Sequence, residues 1–283
     1  MSMKKQTAII LSAAMILSLT ACGSQPDEKR EETTKAEKVA EQKNTEEIYQ
    51  VALLQSLTQG YYDGIITVRE LKKHGDIGIG TFEGVNGEMI VLDGTVYQAL
   101  GDGTVQKAAD NETVPFSNVT FFESDVKVDL SGIQDINILK EKLNEVVEEN
   151  GKNLFYFVKI TGEFPKMNVR SELKQEKPYK SLDKALATDQ REFNYENIKG
   201  TVVALYCPDY MDGLNTPGWH FHFISDDKTK GGHILELAFD KAKAEFDVTS
   251  GFNMCLSDND QFQEMELEKD VSDAIKKVET NEE

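Results

Sequence analysis

The chain has few cysteines and fewer basic than acidic residues, and both features restrict its function. Three cysteines in 283 residues are too few for a disulfide scaffold. Cys207 and Cys255 lack the spacing of a CxxC or zinc-ribbon motif, so two free thiols and one incidental bridge both remain open. The formal net charge of −19 argues against binding nucleic acid or an anionic lipid surface, because both attract Lys and Arg. We interpret the acidity as a source of solubility.

The N-terminus lacks an apolar run of transmembrane length. Residues 8–19 are apolar but too short to span a bilayer comfortably, and they suit the central region of a signal peptide. Residues 19–23 read Leu-Thr-Ala-Cys-Gly, which resembles the lipobox of bacterial lipoproteins. We therefore expect a signal peptide over residues 1–22, acylation of Cys22, and a protein that is lipid-anchored outside the cytoplasmic membrane or secreted. The alternative is an ordinary secretory signal in which Cys22 is incidental.

A polar segment separates this signal from the globular part. Residues 23–47 contain no aromatic residue and are rich in Glu, Lys, Thr and Ala. Such a segment buries too little apolar surface to fold, so we expect a flexible tether. A break at Pro165 divides the rest into an N-terminal mixed-sheet subdomain, residues 48–165, and a C-terminal subdomain, residues 166–283.

Strand and turn signals dominate the globular part. Asn86-Gly87 and Asp93-Gly94 are hairpin-turn signals between short apolar segments. Ile136–Asn150 carries apolar residues at helical spacing and is followed by glycine. The sequence shows no regular alternation of strands and helices, no internal repeat and no phosphate-binding loop. These features predict an α/β fold of the α+β-like kind, with mixed, largely antiparallel β-sheets and few helices.

Three of the four histidines fall within residues 220–233. His220 and His222 are two positions apart in an apolar segment, so on a strand they point to the same face. A polar, glycine-ended turn leads to His233 at the start of a second apolar segment. If the two segments pair as a hairpin, the three imidazoles converge. Three imidazoles with an open position are the ligand set of a catalytic divalent metal, usually zinc.

Each of these histidines, taken alone, has a second interpretation. Trp219, Phe221 and Phe223 indicate a buried strand, on which a lone histidine is ordinarily a core residue with its polar atoms satisfied. The clustering of three favours a metal site, because imidazole is the commonest metal ligand. Glu236 follows His233 by three positions, an odd offset that puts it on the opposite face of a regular strand. We therefore do not assign Glu236 to the site.

Several separated motifs resemble those of the α-acetolactate decarboxylase family and stand in the family's order. They lie at residues 81–98, 115–116, 121–122, 153–156, 169–171, 175–179 and 218–223. The resemblance implies two mixed-sheet subdomains with a zinc site between them, and a homodimer built through the N-terminal sheet. It also implies a reaction of acetoin biosynthesis, the decarboxylation of (S)-2-acetolactate to (R)-acetoin and carbon dioxide.

The reaction suits a site with a metal and no organic cofactor. Loss of carbon dioxide from acetolactate leaves two electrons, which the neighbouring carbonyl group accepts to give an enediolate. A Zn²⁺ ion, or another divalent metal, bound to the keto and hydroxyl oxygens would stabilise that negative charge. The substrate carries its own electron sink, so neither thiamine nor pyridoxal is needed.

The resemblance also implies roles for individual residues. His220, His222 and His233 become the metal ligands. Arg170 would hold the substrate carboxylate as an ion pair, and its alternative is a surface ion pair with one of the many acids. Glu88 resembles the family's active-site carboxylate, which would balance the metal's charge or move a proton to one face of the enediolate. Its alternative is a surface acid at a strand end.

Two further positions follow from the same resemblance. Glu279 matches a carboxylate that the family's C-terminal tail contributes to catalysis, although Glu282 and Glu283 lie nearby. Thr81 matches a hydroxyl close to the site, to which we assign substrate contact alone.

A function of another class also accounts for part of the sequence. A surface lipoprotein that binds and carries a divalent metal without catalysis would explain the lipobox and the histidine cluster. It would not explain Arg170, Glu88 or the motifs of the N-terminal half. Formation of acetoin from acetolactate separates the two functions.

Overall fold

The computed structural model of the protein describes residues 43–267. Cys22, Glu279, the expected signal peptide and most of the expected tether lie outside the described residues. Within the described range, strands account for most of the regular structure. In chain order they are β1 (Glu47–Val51), β2 (Ile66–Thr67), β3 (Ile77–Thr81), β4 (Glu88–Leu92), β5 (Thr95–Ala99), β6 (Val105–Lys107), β7 (Thr113–Val114), β8 (Phe116–Thr120), β9 (Val126–Ile133), β10 (Phe155–Glu172), β11 (Gln190–Cys207), β12 (Gly218–Ser225), β13 (Gly231–Thr249) and β14 (Gly251–Cys255).

Helices are few and mostly short in the part of the chain that the structure describes. They are α1 (Leu54–Thr58), α2 (Val68–Leu71), α3 (Ile136–Asn150), α4 (Leu182–Asp189), α5 (Asp260–Gln263) and one 3₁₀ turn (Asp209–Met211). None of these helices has the length and apolar character needed to cross a membrane.

The first sheet has seven strands in the order β14-β1-β8-β3-β4-β5-β6. Neighbouring strands in this sheet are antiparallel except at one edge, where β14 runs parallel to β1 and Glu47 lies opposite Gly251. The second sheet has five strands in the order β10-β11-β12-β13-β9, all antiparallel, and β10 also pairs with β13. The predicted fold of mixed, largely antiparallel sheets with few helices is therefore confirmed.

Strand β10 continues through the position where the sequence predicts a boundary between subdomains. Its ladder to β11 runs from Tyr156 to Glu172 and skips only Pro165, which has no N–H to donate. Its ladder to β13 likewise omits residues 163–165. A proline is thus accommodated where pairing is already interrupted. The two sheets do not follow the expected division at residue 165, because β14 returns to the first sheet and β9 belongs to the second.

The two sheets pack face to face through apolar side chains. The first sheet contributes Ile79, Ile90 and Leu92, and the second contributes Phe157 and Val203 to the same cluster. Burial of apolar surface stabilises such a contact by roughly 25 cal/mol per Å². The packing fixes β4 against β12 and β13, and these strands carry the residues of the candidate site.

Helix α3 covers the other face of the second sheet. Its N-terminus is capped by Asp135, whose carboxylate accepts hydrogen bonds from the N–H groups of Asn137 and Ile138. Leu139 and Leu143 belong to the same buried cluster as Phe221 of β12. The structure confirms the helix predicted over Ile136–Asn150.

The described part of the chain contains no disulfide. Cys207 is buried and Cys255 is partly exposed, and both are free thiols. Burial raises the pKa of the Cys207 thiol above its ordinary range, so this thiol stays protonated. Of the two alternatives for these cysteines, the free thiols are found.

Candidate active site

The histidine segments pair as the sequence predicts. Strands β12 and β13 are antiparallel neighbours, and His222 lies directly opposite His233. Along β12, His220 and His222 point toward the first sheet, whereas Phe221 and Phe223 pack into the cluster on the other face. Because side chains alternate along a strand, the imidazoles lie on one face of β12 and the apolar rings lie on the other.

The three rings converge on one point. Nε2 of His220 lies 3.1 Å from Nε2 of His222 and 3.0 Å from Nδ1 of His233. These three nitrogens could hold one metal ion, and all of them lie within 4.8 Å of one another. Tetrahedral zinc with Zn–N bonds of about 2.0–2.1 Å places its ligand nitrogens about 3.3 Å apart, so the spacing fits.

Hydrogen bonding among the rings does not explain this arrangement. One neutral ring nitrogen carries either a proton or a lone pair, so Nε2 of His220 cannot make a linear hydrogen bond to both neighbours. Nδ1 of His222 lies 2.8 Å from the carbonyl oxygen of Met89, which requires a proton on Nδ1 and leaves a lone pair on Nε2. A carbonyl acceptor of this kind commonly fixes a metal-binding imidazole. The donor set fits a divalent cation.

Burial keeps two of the three rings, His220 and His222, in the neutral form that a metal requires. Burial and then the charge of Arg170 lower the pKa of His220 to about 3. The pKa of His222 is also well below its ordinary value, again because of burial and then because of the neighbouring His220. Both imidazoles are uncharged at neutral pH and can offer lone pairs.

Glu88 and Thr81 enter the site from the first sheet. They lie opposite each other on β4 and β3. Oε2 of Glu88 is 3.4 Å from Nε2 of His222, and both side chains are buried. The Thr81 hydroxyl donates to the carbonyl of Gly87 at 2.8 Å, so toward the cavity it can act as an acceptor. The alternative of Glu88 as a surface acid is wrong.

Arg170 enters from β10, where it lies opposite His233. It is 3% exposed, so the alternative of a surface ion pair is wrong. Its Nη1 donates to Oε1 of Gln190 at 3.1 Å, and its buried Nε–H has no hydrogen-bond acceptor among residues 43–267. A buried guanidinium with a spare donor suits an anionic ligand, since an unpaired buried donor is costly.

Glu172 also lines the site, although no motif in the sequence marks it. It is buried two residues after Arg170 on β10, and its Oε1 lies 3.9 Å from Nη1 of Arg170. The available signal was strand alternation, because residues 170 and 172 share a face once the strand is recognised.

One cavity of about 50 Å³ lies between the sheets and is lined by the three histidines, Thr81, Glu88, Arg170 and Glu172. Its polar end holds the three histidines, Glu88, Arg170 and Glu172. Its apolar wall comes mainly from α1, α4 and their neighbours. The residues of this wall are Leu54, Leu57, Val85, Phe116, Leu182 and Leu186. Three converging imidazoles that could bind a metal, beside a buried guanidinium and an apolar wall, suit a small anionic organic molecule.

Comparison with known proteins agrees with this chemistry. A model of the family described as alpha-acetolactate decarboxylase matches residues 48–269. The alpha-acetolactate decarboxylase of Methanosarcina mazei is 40% identical over 232 residues, which are 82% of this chain and 80% of that protein. The enzyme of the same name from Brevibacillus brevis is 36% identical and covers 82% of this chain and 81% of its own length.

The fold is similar as well. The crystal structure of alpha-acetolactate decarboxylase from Bacillus subtilis superposes with a TM-score of 0.79 at 32% identity, covering 83% of this chain and 99% of that one. The protein is an enzyme of the decarboxylase class. The chain belongs to the alpha-acetolactate decarboxylase family, as its motifs predict.

Proposed function

We propose that the enzyme converts (S)-2-acetolactate to (R)-acetoin and carbon dioxide at the cavity between its two sheets. The observation that carries the proposal is the convergence of three buried imidazole nitrogens next to a buried arginine. His220, His222 and His233 would hold a divalent metal, for which three imidazoles favour Zn²⁺. When bound, that metal would supply a Lewis acid for the negative charge that develops on the substrate's oxygens.

Arg170 would bind and orient the substrate carboxylate through its spare Nε–H. The bond between the carboxylate carbon and the adjacent carbon then breaks, its electron pair moves to the neighbouring carbonyl group, and neutral carbon dioxide leaves. The Thr81 hydroxyl, which already donates to Gly87, would accept a hydrogen bond from the substrate hydroxyl. The apolar wall would hold the methyl groups.

Glu88 would deliver a proton to the enediolate carbon and would take its replacement from solvent, so that one proton is consumed for each carbon dioxide released. It lies at the metal-binding end, close to His222, so delivery from one side would fix the configuration of acetoin. Glu279 would contribute a second carboxylate from the C-terminal segment. A carboxylic acid that lacks the tertiary hydroxyl and the β-carbonyl group of acetolactate would bind to the same residues and be released unchanged.

The experiment is to purify the protein, measure bound metals, and follow acetoin formation from racemic acetolactate. We expect about one divalent ion per chain, loss of activity on chelation and recovery when Zn²⁺ is restored. A metal carrier, the alternative function, would take up the ion and give no acetoin above the spontaneous rate. Full activity in a protein free of metal would contradict the Lewis-acid chemistry.

The expected surroundings of the enzyme belong to the same proposal. We propose a homodimer, built through the sheet that contains β1, and a lipid anchor at Cys22 outside the cytoplasmic membrane. Light scattering of the protein from residue 48 onward tests whether it is a dimer. Incorporation of a labelled fatty acid that is lost in Cys22→Ser tests the anchor.

A further inference from the structure

We propose that Glu172 is a positioning residue that reduces the effective positive charge that Arg170 presents to the substrate carboxylate. The inference rests on the proposed function of Arg170. Glu172 and Arg170 are two residues apart on β10, both are buried, and both line the cavity. Oε1 of Glu172 lies 3.9 Å from Nη1 of Arg170.

The contacts of Arg170 define which part of the guanidinium is held by the protein. Its Nη1 faces Glu172 and donates to Gln190, the residue opposite Glu172 in the ladder between β10 and β11. Its Nε–H has no acceptor among residues 43–267. The protein thus secures the guanidinium at Nη1, and the Nε–H remains for a ligand.

A partly neutralised arginine is better suited to a decarboxylase than an isolated one. The substrate carboxylate is anionic when it binds but leaves as neutral carbon dioxide, so its negative charge decreases on the way to the transition state. A full, buried positive charge would stabilise the bound substrate more than the transition state and would raise the barrier. A carboxylate beside the guanidinium weakens that preference, while the N–H groups still orient the substrate.

The two buried acids of the cavity serve different ends of the substrate. Glu88 lies beside His222 at the metal-binding end, whereas Glu172 lies beside Arg170. The proposed role of Glu172 therefore concerns the leaving carboxylate, and Glu88 retains the proton transfer.

The test is Glu172→Gln, which removes the charge and nearly keeps the shape. Steady-state constants for acetolactate are measured together with inhibition constants for 2-hydroxy-2-methylbutanoate, an acid without the β-carbonyl group, and for acetoin, which has no carboxylate. We expect the acid to bind about tenfold more tightly, because a like charge near its carboxylate is gone. We expect KM and kcat both to fall and acetoin affinity to stay unchanged, the pattern of lost ground-state destabilisation.

Two variants control the substitution. Glu172→Asp keeps the charge and should restore acid affinity and kcat toward the original values. Glu163→Gln makes the same change on the same strand, at an exposed carboxylate 3.6 Å from Lys199, and should alter none of these constants. Metal content and the thermal unfolding midpoint are measured for every variant, so that misfolding is recognised separately.

Three results would overturn the proposal. Weaker acid binding in Glu172→Gln would show that the carboxylate supports binding, and an equal change for the acid and acetoin would show a merely structural effect. Unchanged constants would show no effect at all. Two other measurements would show that the proposed function itself is wrong. In that case Arg170→Gln would leave the affinity for the acid unchanged, or the unaltered protein would form no acetoin.

Discussion

Nδ1 of His222 on β12 lies 2.8 Å from the carbonyl oxygen of Met89 on β4, so a ring of one sheet is held by the backbone of the other. Glu88, the residue before Met89, reaches the opposite nitrogen of the same ring. Two adjacent residues of β4 therefore set both the tautomer of His222 and the position of a carboxylate. Any shift between the sheets would disturb the proposed metal site and the proposed proton donor, Glu88, together.

Replacing His222 with alanine should remove metal and activity together. Loss of a hydrogen-bond partner to a metal ligand already lowers metal affinity by roughly 10- to 100-fold, and loss of the ligand itself should lower it further. Metal analysis and the acetoin assay check this expectation. His74→Ala is the matched control, because His74 stacks on Tyr49 outside the cavity and should keep both properties. Retention of metal in the His222 variant would mean that the ligand set is wrong.

Replacing Gly232 with alanine should disrupt the site without removing any ligand. Gly232 has a φ of +148°, and a Cβ there would come within 2.5 Å of the carbonyl oxygen of Arg170. The clash forces β13 away from β10 next to His233, and we expect a loss of about 3 kcal/mol of folding stability together with weaker metal binding.

Gly132→Ala separates this steric effect from backbone strain alone. Gly132 has a φ of +71°, but a Cβ added there would meet no other group of the described chain within 4 Å. We expect this substitution to cost only about 1 kcal/mol in denaturant unfolding and to leave metal binding intact. Equal losses of stability and metal affinity in both glycine variants would contradict the proposed clash at Gly232.

The buried Asp247 should make the fold less stable as the pH rises. Burial, and then nearby charges, raise the pKa of Asp247 from 3.8 to about 7, despite hydrogen bonds from the N–H of Glu123 and from Thr249. Because the folded-state pKa is the higher one, the folded protein holds this proton more tightly. Its contribution to stability is present below about pH 4 and is lost, by a few kcal/mol, as the pH rises through about 7.

Urea unfolding between pH 4 and 8 checks the behaviour of Asp247. Asp247→Asn should flatten the decline and be more stable than the unaltered protein at about pH 8. Asp240→Asn, an exposed position on the same strand, should keep the decline. An unchanged slope in the Asp247 variant would assign the pH dependence to other groups.

The local parts of the site could be predicted from the sequence because their residues recur at the short spacings of a strand or a helix. His220 and His222 alternate with aromatic residues, so one strand assignment fixes their common face, and the polar turn brings His233 opposite. Asp135 before an apolar helical repeat likewise marks the start of α3. These signals involve neighbours in the chain, and no knowledge of distant contacts is needed.

Long-range pairing could not be predicted in this way. Nothing in the residues of β14 indicates a parallel partner about two hundred positions earlier, and Pro165 suggests an end where β10 continues. The exclusion of Glu236 from the site agrees with the structure, but strand alternation is not the reason, since the register shifts between Asn168 and Val169. The Glu236 carboxylate instead accepts from the N–H of Ile136 at the start of α3.

The pairing of β14 with β1 has a consequence for biosynthesis. A ribosome releases β1 early, yet the strand that covers its outer edge emerges only after nearly all of the remaining described chain. Until then the nascent protein presents an open strand edge, the kind of surface that invites wrong partners. Completion of this sheet must therefore follow synthesis of the second sheet, and chaperones would matter most before β14 emerges.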